Sequence, residues 1–271
     1  MVKVCYVNIT AEEVSGPFLS VLDKLFQKAA RPDTQVDVKC VKPGLNRSPY
    51  ISYAYLQFLN KGSIIERIIE AEREGYDAAM VGCFLDPGVR EARSIVNIPV
   101  IGLGESTIHF ACQLGHRLAI IAPGERRLIP EYEDNLALYG VKERTIVNPI
   151  RMVNLERRTW LEGIDNPNLV ASAVLEKARE CASDGAEVVV VGCNALGPFC
   201  TLSGLVEIEE RHVPIVDCTS IALKMAETIV DIHSRLGLPF ISRASKYALP
   251  EEEDVRKVRA IFDLKEPAKI D

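Results

Sequence analysis

The sequence predicts an α/β fold of two pseudo-symmetric lobes. Each is a doubly wound parallel sheet in a three-layer α/β/α sandwich, with the functional cleft between them. Three observations carry this expectation. Short β-branched runs alternate with longer amphipathic segments along the chain. The runs are apolar at consecutive positions, as strands are when helices cover both of their faces. Finally, Glu74-Gly-Tyr-Asp-Ala-Ala-Met-Val-Gly-Cys83 is paralleled by Asp184-Gly-Ala-Glu-Val-Val-Val-Val-Gly-Cys193. Gly75 precedes Cys83 by the same interval as Gly185 precedes Cys193. Two copies make a duplication, not a solenoid array of many shorter periods.

Taken in order, residues 2–7, 36–41, 78–81 and 99–101 read as the strands of the first copy. Residues 17–30 and 62–74 read as its helices. In the second helix Ile64, Ile65, Ile68 and Ile69 recur at helical spacing, with Glu66, Arg67, Glu70 and Arg73 between them. The alternation resumes with strands at 117–122, 144–147, 187–191 and 214–216 and a helix at 168–183. A Pro-led strand closes each copy, Pro99-Val-Ile-Gly against Pro214-Ile-Val-Asp, and a helix follows it at 105–114 and 219–236. The last of these has no later strand to enter, so it is expected beside the first sheet. Lobe one is therefore residues 1–103 plus 219–271, and lobe two is residues 104–218.

Composition narrows the function. The chain has 271 residues, 48% hydrophobic, enough to bury a sizeable core. Its 32 Lys and Arg against 38 Asp and Glu give a net charge of −6. Nucleic-acid binders need the opposite balance to displace counterions from phosphate. No apolar stretch reaches the ~18 residues of a membrane span, and residues 2–9 do not make a signal peptide. The eight cysteines sit mostly within apolar runs, where a free thiol acts as a small hydrophobe. The expectation is a cytoplasmic enzyme with reduced thiols and a small-molecule substrate. A homo-oligomer is the default assembly.

Cys83 and Cys193 stand apart from the other six. Both follow Val-Gly at the carboxyl end of a strand, the edge where open parallel sheets bind ligands. Two thiols facing across a cleft suit one kind of chemistry, in which a proton is taken from one face of a carbon and another is returned to the opposite face. The base thiol has to be depressed, and the backbone donors of the following turns are placed to do it. The N–H groups of Phe84, Leu85, Asn194 and Ala195 are candidates to hold an enolate. Asn8, at the carboxyl end of the first strand with Thr10, is a candidate substrate contact. No cofactor is called for.

These Gly-Cys elements resemble the aspartate/glutamate racemase superfamily. Within it, Gly82-Cys-Phe-Leu-Asp-Pro-Gly-Val-Arg-Glu-Ala-Arg93, Pro99-Val-Ile-Gly-Leu-Gly-Glu-Ser106 and Ser245-Lys-Tyr-Ala-Leu-Pro250 resemble the hydantoin racemase branch. The resemblance implies Cys83 and Cys193 as the proton donor–acceptor pair of a cofactor-independent racemase. The chain departs from the superfamily pattern in three places. Only Asn8 remains of the first strand's Asn-Pro-Asn-like turn, Phe84-Leu85 replace small polar residues, and Ala122-Pro-Gly-Glu-Arg126 replaces a Thr-containing turn. An apolar wall with few hydroxyls disfavours a small dicarboxylate and suits a neutral ring such as a 5-substituted hydantoin. The alternatives are a same-fold isomerase or lyase on a maleate- or malonate-type acid, and a non-catalytic two-lobed binding protein.

Other signals read as structural. Gly102-Leu-Gly104 opens like a dinucleotide fingerprint, but Thr107 takes the third glycine's place. His109, Cys112 and His116 lack paired metal-ligand spacing. Arg126 and Arg127 read as a solvated loop, and residues 251–254 as a solvated helix start.

Overall fold

Two sheets of matching design organise the chain, whose computed structural model describes residues 1–264. The first half runs β1 (Val2–Thr10), α1 (Glu12–Ala29), β2 (Thr34–Leu45), α2 (Ala54–Arg73), β3 (Ala78–Val81), α3 (Val89–Ala92), β4 (Val100–Gly102) and α4 (Leu103–Leu114). The second runs β5 (Leu118–Pro123), α5 (Ile129–Leu138), β6 (Thr145–Val153), α6 (Arg157–Glu162), α7 (Asn168–Ser183), β7 (Val188–Val191), α8 (Gly197–Ser203), β8 (Glu207–Ile208) and β9 (Val213–Asp217). Helices α9 (Cys218–Leu236) and α10 (Glu252–Ile261) follow. Residues 265–271 of the expected first lobe lie outside the described residues.

Strand order is β2-β1-β3-β4 in one sheet and β6-β5-β7-β9-β8 in the other. All pairs are parallel except β8–β9, a short antiparallel edge added to the second sheet. In both, the chain starts centrally, steps one way and then returns past its start. This places a switch point between β1 and β3 and another between β5 and β7, where ligand crevices open at the carboxyl edge. The central strands are apolar because both faces are covered, and all four valines of β7 are fully buried.

Boundaries differ most from the sequence reading at three places. Helix α1 opens at Glu12, ahead of Pro17; Glu12 and Glu13 fill its first turn, where carboxylates favour the amide end. Helix α2 opens at Ala54 and carries Gly62 in its interior, where the position faces open space. Strand β6 continues through Pro149 to Val153, with Asn148 in the left-handed region and the ladder shifted there. An edge strand tolerates this because its outward N–H groups need no partner strand.

One apolar core joins the halves. It includes Tyr6, Met80 and Ile101 from the first sheet and Ile120, Val190 and Val216 from the second. Phe18 of α1 lies 5.9 Å from Phe199 of α8 and 5.5 Å from Trp160 of α6. Helix α9 packs on α4, β3 and β4 and also on α8 and β9, so it touches elements of both sheets. A second cluster, with Val7, Ile64, Ile68 and Val81, fills the other face of the first sheet under α2.

A core continuous through both sheets makes the chain one cooperative unit. Phe199→Ala is expected to cost about 3–5 kcal/mol in urea unfolding while the transition stays single. Two resolved transitions, one of them unchanged by the substitution, would contradict the shared core.

Candidate functional site

The two Gly-Cys turns are built alike from the backbone upward. The N–H of Gly82 donates to Val7 O at 2.9 Å, and that of Gly192 donates to Ile121 O at 2.8 Å. Each glycine thus extends the parallel ladder one step past its strand before the chain turns away. The first turn is closed by Asp86 N–H donating to Cys83 O at 3.1 Å. The second is closed by Leu196 and Gly197 N–H donating to Cys193 O at 3.1 and 2.9 Å.

The turns meet across the seam between the sheets. A Cβ placed on Gly192 would fall 2.5 Å from Ile120 Cγ2 and 3.2 Å from the Phe84 ring, so glycine there leaves room for both, and the residue after Cys83 packs against the residue before Cys193. Phe84 stacks on Tyr132 of α5 at 5.7 Å, and the Tyr132 hydroxyl donates to Gly192 O at 2.9 Å. From the other side, Asn194 Nδ2 donates to the buried Tyr6 hydroxyl at 3.2 Å. Cys83 and Cys193 lie close enough for charge on Cys193 to raise the Cys83 pKa. Both are free thiols, Cys83 buried and Cys193 half-buried.

The expected amide donors are present, but two of them serve the sulfurs. Ala195 N–H donates to Cys193 Sγ at 3.2 Å, and Leu85 N–H bonds the Cys83 thiol from the matching position. Both hydrogen bonds favour thiolate, yet burial outweighs them. Desolvation pushes Cys193 up to about 12 and Cys83 further above the ordinary thiol range. The depressed thiol expected from the turns is therefore not found; in low dielectric the Leu85 amide at Cys83, and those of Ala195 and Leu196 at Cys193, do not repay the lost hydration.

Asn8 is buried in β1, and its amide nitrogen donates to Ser15 Oγ at 2.7 Å, to both Thr10 oxygens and to Cys40 Sγ. Ala195 O accepts from Trp160 Nε1 at 2.9 Å, and Leu85 O accepts from Asn135 Nδ2 at 3.2 Å. Beside Cys83 a small cavity, about 10 Å³ or the space of one water, is lined by Ile9, Ile51, Ile64, Leu85 and Pro87 with Gln57 and Asn60. Its two amides are already engaged. Asn60 Nδ2 donates to Ile9 O at 2.8 Å and its Oδ1 accepts from Leu45 N–H; Gln57 donates to Ile51 O and to Glu131 of α5. The exposed Arg127 guanidinium covers the Tyr53 ring at 4.6 Å, bridging the start of α2 to the approach to α5.

Tyr6, Tyr132, Trp160 and Gln57 escape a reading of the sequence, because the hydrogen bonds that bring Tyr6, Tyr132 and Trp160 to the Cys193 turn, and Gln57 to Glu131, join residues far apart in the chain. The remaining signals have structural places. His109 packs on Tyr139, and among the described residues no group of three His, Cys, Asp or Glu is arranged to hold a metal ion. Among them, too, no helix is long and apolar enough to cross a membrane.

A family profile described as Asp/Glu/Hydantoin racemase matches residues 12–226. A hydantoin racemase from Pseudomonas sp. (strain NS671) is 28% identical over 256 residues, covering 93% of each chain. Among solved structures, allantoin racemase from Klebsiella pneumoniae superposes with a TM-score of 0.76 at 24% identity, over 93% of this chain and 95% of that one. A variant of arylmalonate decarboxylase gives 0.58 at 15% identity, over 85% and 93%. At those identities the structural likenesses show the fold.

With both thiols held protonated by burial, their reactivity follows the rare thiolate. Iodoacetamide labelling of Cys193, read by peptide mass spectrometry, is expected to accelerate about tenfold per pH unit from pH 7 to pH 10. A plateau below pH 8 would show a depressed thiol and contradict the balance derived above.

Proposed function

We propose, from the premise that this chain belongs to the Asp/Glu/hydantoin racemase family and is an isomerase, that it racemises a hydantoin-like cyclic amide with Cys83 and Cys193 as the two proton-transfer groups. The observation that carries this reading is the seam contact of Phe84 with Gly192, which holds two matched Gly-Cys turns against each other.

In the forward direction one sulfur, as thiolate, takes the proton from the ring carbon that bears the substituent. The released electron pair moves into the adjacent ring carbonyl and forms an enolate. The opposite thiol then returns a proton to the other face, leaving itself as thiolate and the first sulfur as thiol. Reversal of the roles converts the other enantiomer, so the pair titrates as a unit. With Leu85 and Ala195 N–H serving the sulfurs, the N–H groups of Phe84 and Asn194 are assigned to the enolate oxygen. Substrate entry excludes the remaining water from the half-exposed Cys193 side of the site. This strengthens those hydrogen bonds where charge develops.

The apolar residues beside Cys83, whose one-water cavity would have to widen to seat a substituent, favour a hydrocarbon one. Ile9, Ile51, Ile64, Leu85 and Pro87 offer van der Waals surface, while Asn60 and Gln57 are committed to the protein. A ureido substituent, as on allantoin, would bury donors without partners at about 1–3 kcal/mol each. A small alkyl substituent carries no such cost. The alternative, an isomerase or lyase on a maleate- or malonate-type acid, keeps the fold of the decarboxylase neighbour. It would be revealed by a trapped covalent adduct or by carbon dioxide release.

Cys83→Ser and Cys193→Ser are each expected to lower racemisation of a 5-alkylhydantoin by more than about 1000-fold, measured by circular dichroism. The wild type is expected to favour that substrate over allantoin by about tenfold or more in kcat/KM. Near wild-type racemisation by both single variants would overturn the two-thiol account. A preference for allantoin would overturn the substrate assignment alone.

A further inference from the structure

The two halves anchor their cysteine turns with the same parts, exchanged between positions. In the first half a buried acid, Asp86, stands on the cysteine turn and faces a glycine, Gly102, at the end of the Pro-led strand. A Cβ on Gly102 would fall 2.5 Å from the Asp86 carboxyl carbon. In the second half the acid, Asp217, stands at the strand end and faces a glycine, Gly197, just past the cysteine turn. A Cβ on Gly197 would overlap the Asp217 carboxylate. Gly102 and Asp217 occupy equivalent places with nearly the same backbone, φ −84 and ψ 135 against φ −80 and ψ 121.

Both carboxylates reach the amide end of the helix that follows the Pro-led strand. Asp86 accepts from Gly104 and Glu105 N–H at 2.9 and 2.7 Å, and Asp217 accepts from Thr219 and Ser220 N–H at 3.0 and 3.3 Å. Asp217 also accepts from the Thr201 hydroxyl of α8 at 3.0 Å, which returns it to the Cys193 side. Asp86 instead accepts from the Tyr139 hydroxyl at 2.6 Å, at the end of α5 in the facing half. The same stretch of α5 holds Leu85 O through Asn135.

We propose that Asp86 is the positioning residue of Cys83, joining the cysteine turn to α4 and, through Tyr139, to the half that carries Cys193. Asp217 ties the Cys193 turn to α9 from the other member of the exchanged pair. Asp86 is suited to this because its own N–H closes the turn on Cys83 O, so a displacement of its carboxylate moves the thiol. Gly102-Leu-Gly104, the fragment that opens like a dinucleotide fingerprint, is thereby explained: both glycines lie where a Cβ would strike the Asp86 carboxylate, and Gly104 also abuts Phe84 O. Burial raises the Asp86 carboxyl to about 7 even though three hydrogen bonds favour its charged form, consistent with a fully enclosed anchor.

The inference rests on the two-thiol racemase reading and is tested on the isotope effect of each direction. Equal energies of the enantiomers force kcat/KM to stay equal both ways, so rates alone cannot locate a lesion. A shift of Cys83 slows only the transfer at one face. Tyr139→Phe and Asp86→Asn are expected to lower kcat by about 10- to 100-fold, with KM within about twofold. The primary deuterium isotope effect should rise for the enantiomer deprotonated by Cys83 and fall for the other. Asp86→Gly should lower the unfolding midpoint. Asp86→Gly combined with Gly102→Asp, which rebuilds the second half's arrangement, should recover it while the isotope effects stay unequal, because Tyr139 is still unpartnered. Equal slowing in both directions with both isotope effects unchanged in Tyr139→Phe and Asp86→Asn would reduce Asp86 to general structure and overturn the proposal. Racemisation that survives in Cys83→Ser and Cys193→Ser would instead overturn the reading beneath it.

Discussion

The contact of Phe84 with Gly192 and Tyr132 is the constraint on which the rest of the structure depends. A parallel sheet exposes its carboxyl edge, and each half of this chain ends a central strand there in Gly-Cys. Alone, either edge would be a wet rim. Because Gly192 has no side chain, the Phe84 ring lies against its backbone, and the two rims become one buried seam. The apolar core then runs from the first sheet to the second without a break, and the sulfurs are left beside the point where the rims meet.

That seam sets the electrostatics. An amide directed at each sulfur would favour thiolate in a wet site, but here desolvation is the larger influence and both thiols are raised. Under the proposed two-thiol mechanism such a pair is inert until a substrate supplies an acidic carbon between the sulfurs and an oxygen that can take up the charge. The neighbouring cavity follows the same logic: its amides are tied to backbone oxygens and to Glu131, so the surface presented beside Cys83 is hydrocarbon.

Much of this is legible in the residues. Strands covered on both faces announce themselves by unbroken apolar runs, and the duplication is visible in two glycines at the same distance from two cysteines. The helix at Asn168–Ser183 is legible to the residue, since its apolar positions keep helical spacing to the end. Helix starts are less legible. Pro17 and Gly62 look like boundaries, yet in a helix held by tertiary packing both are carried inside. The direction of individual N–H groups is not legible at all, which is why Leu85 and Ala195 are expected to face an enolate and instead face sulfur. Nor can a lone acid in a turn reveal its partners: Asp86 gains its meaning from Gly102 and Tyr139, which are distant in sequence and adjacent only in the fold.

The claim at the centre of the account is that two separate thiols exchange protons with opposite faces of one carbon. The most direct measurement follows optical activity while an enantiopure, protiated 5-alkylhydantoin reacts in heavy water. Two bases place solvent deuterium on every product molecule, so the return reaction is slower than the forward one. The signal is then expected to pass through zero, overshoot to the opposite sign and decay back. A monotonic decay to zero, with the original proton retained in the first product formed, would show one group serving both faces and would contradict the account.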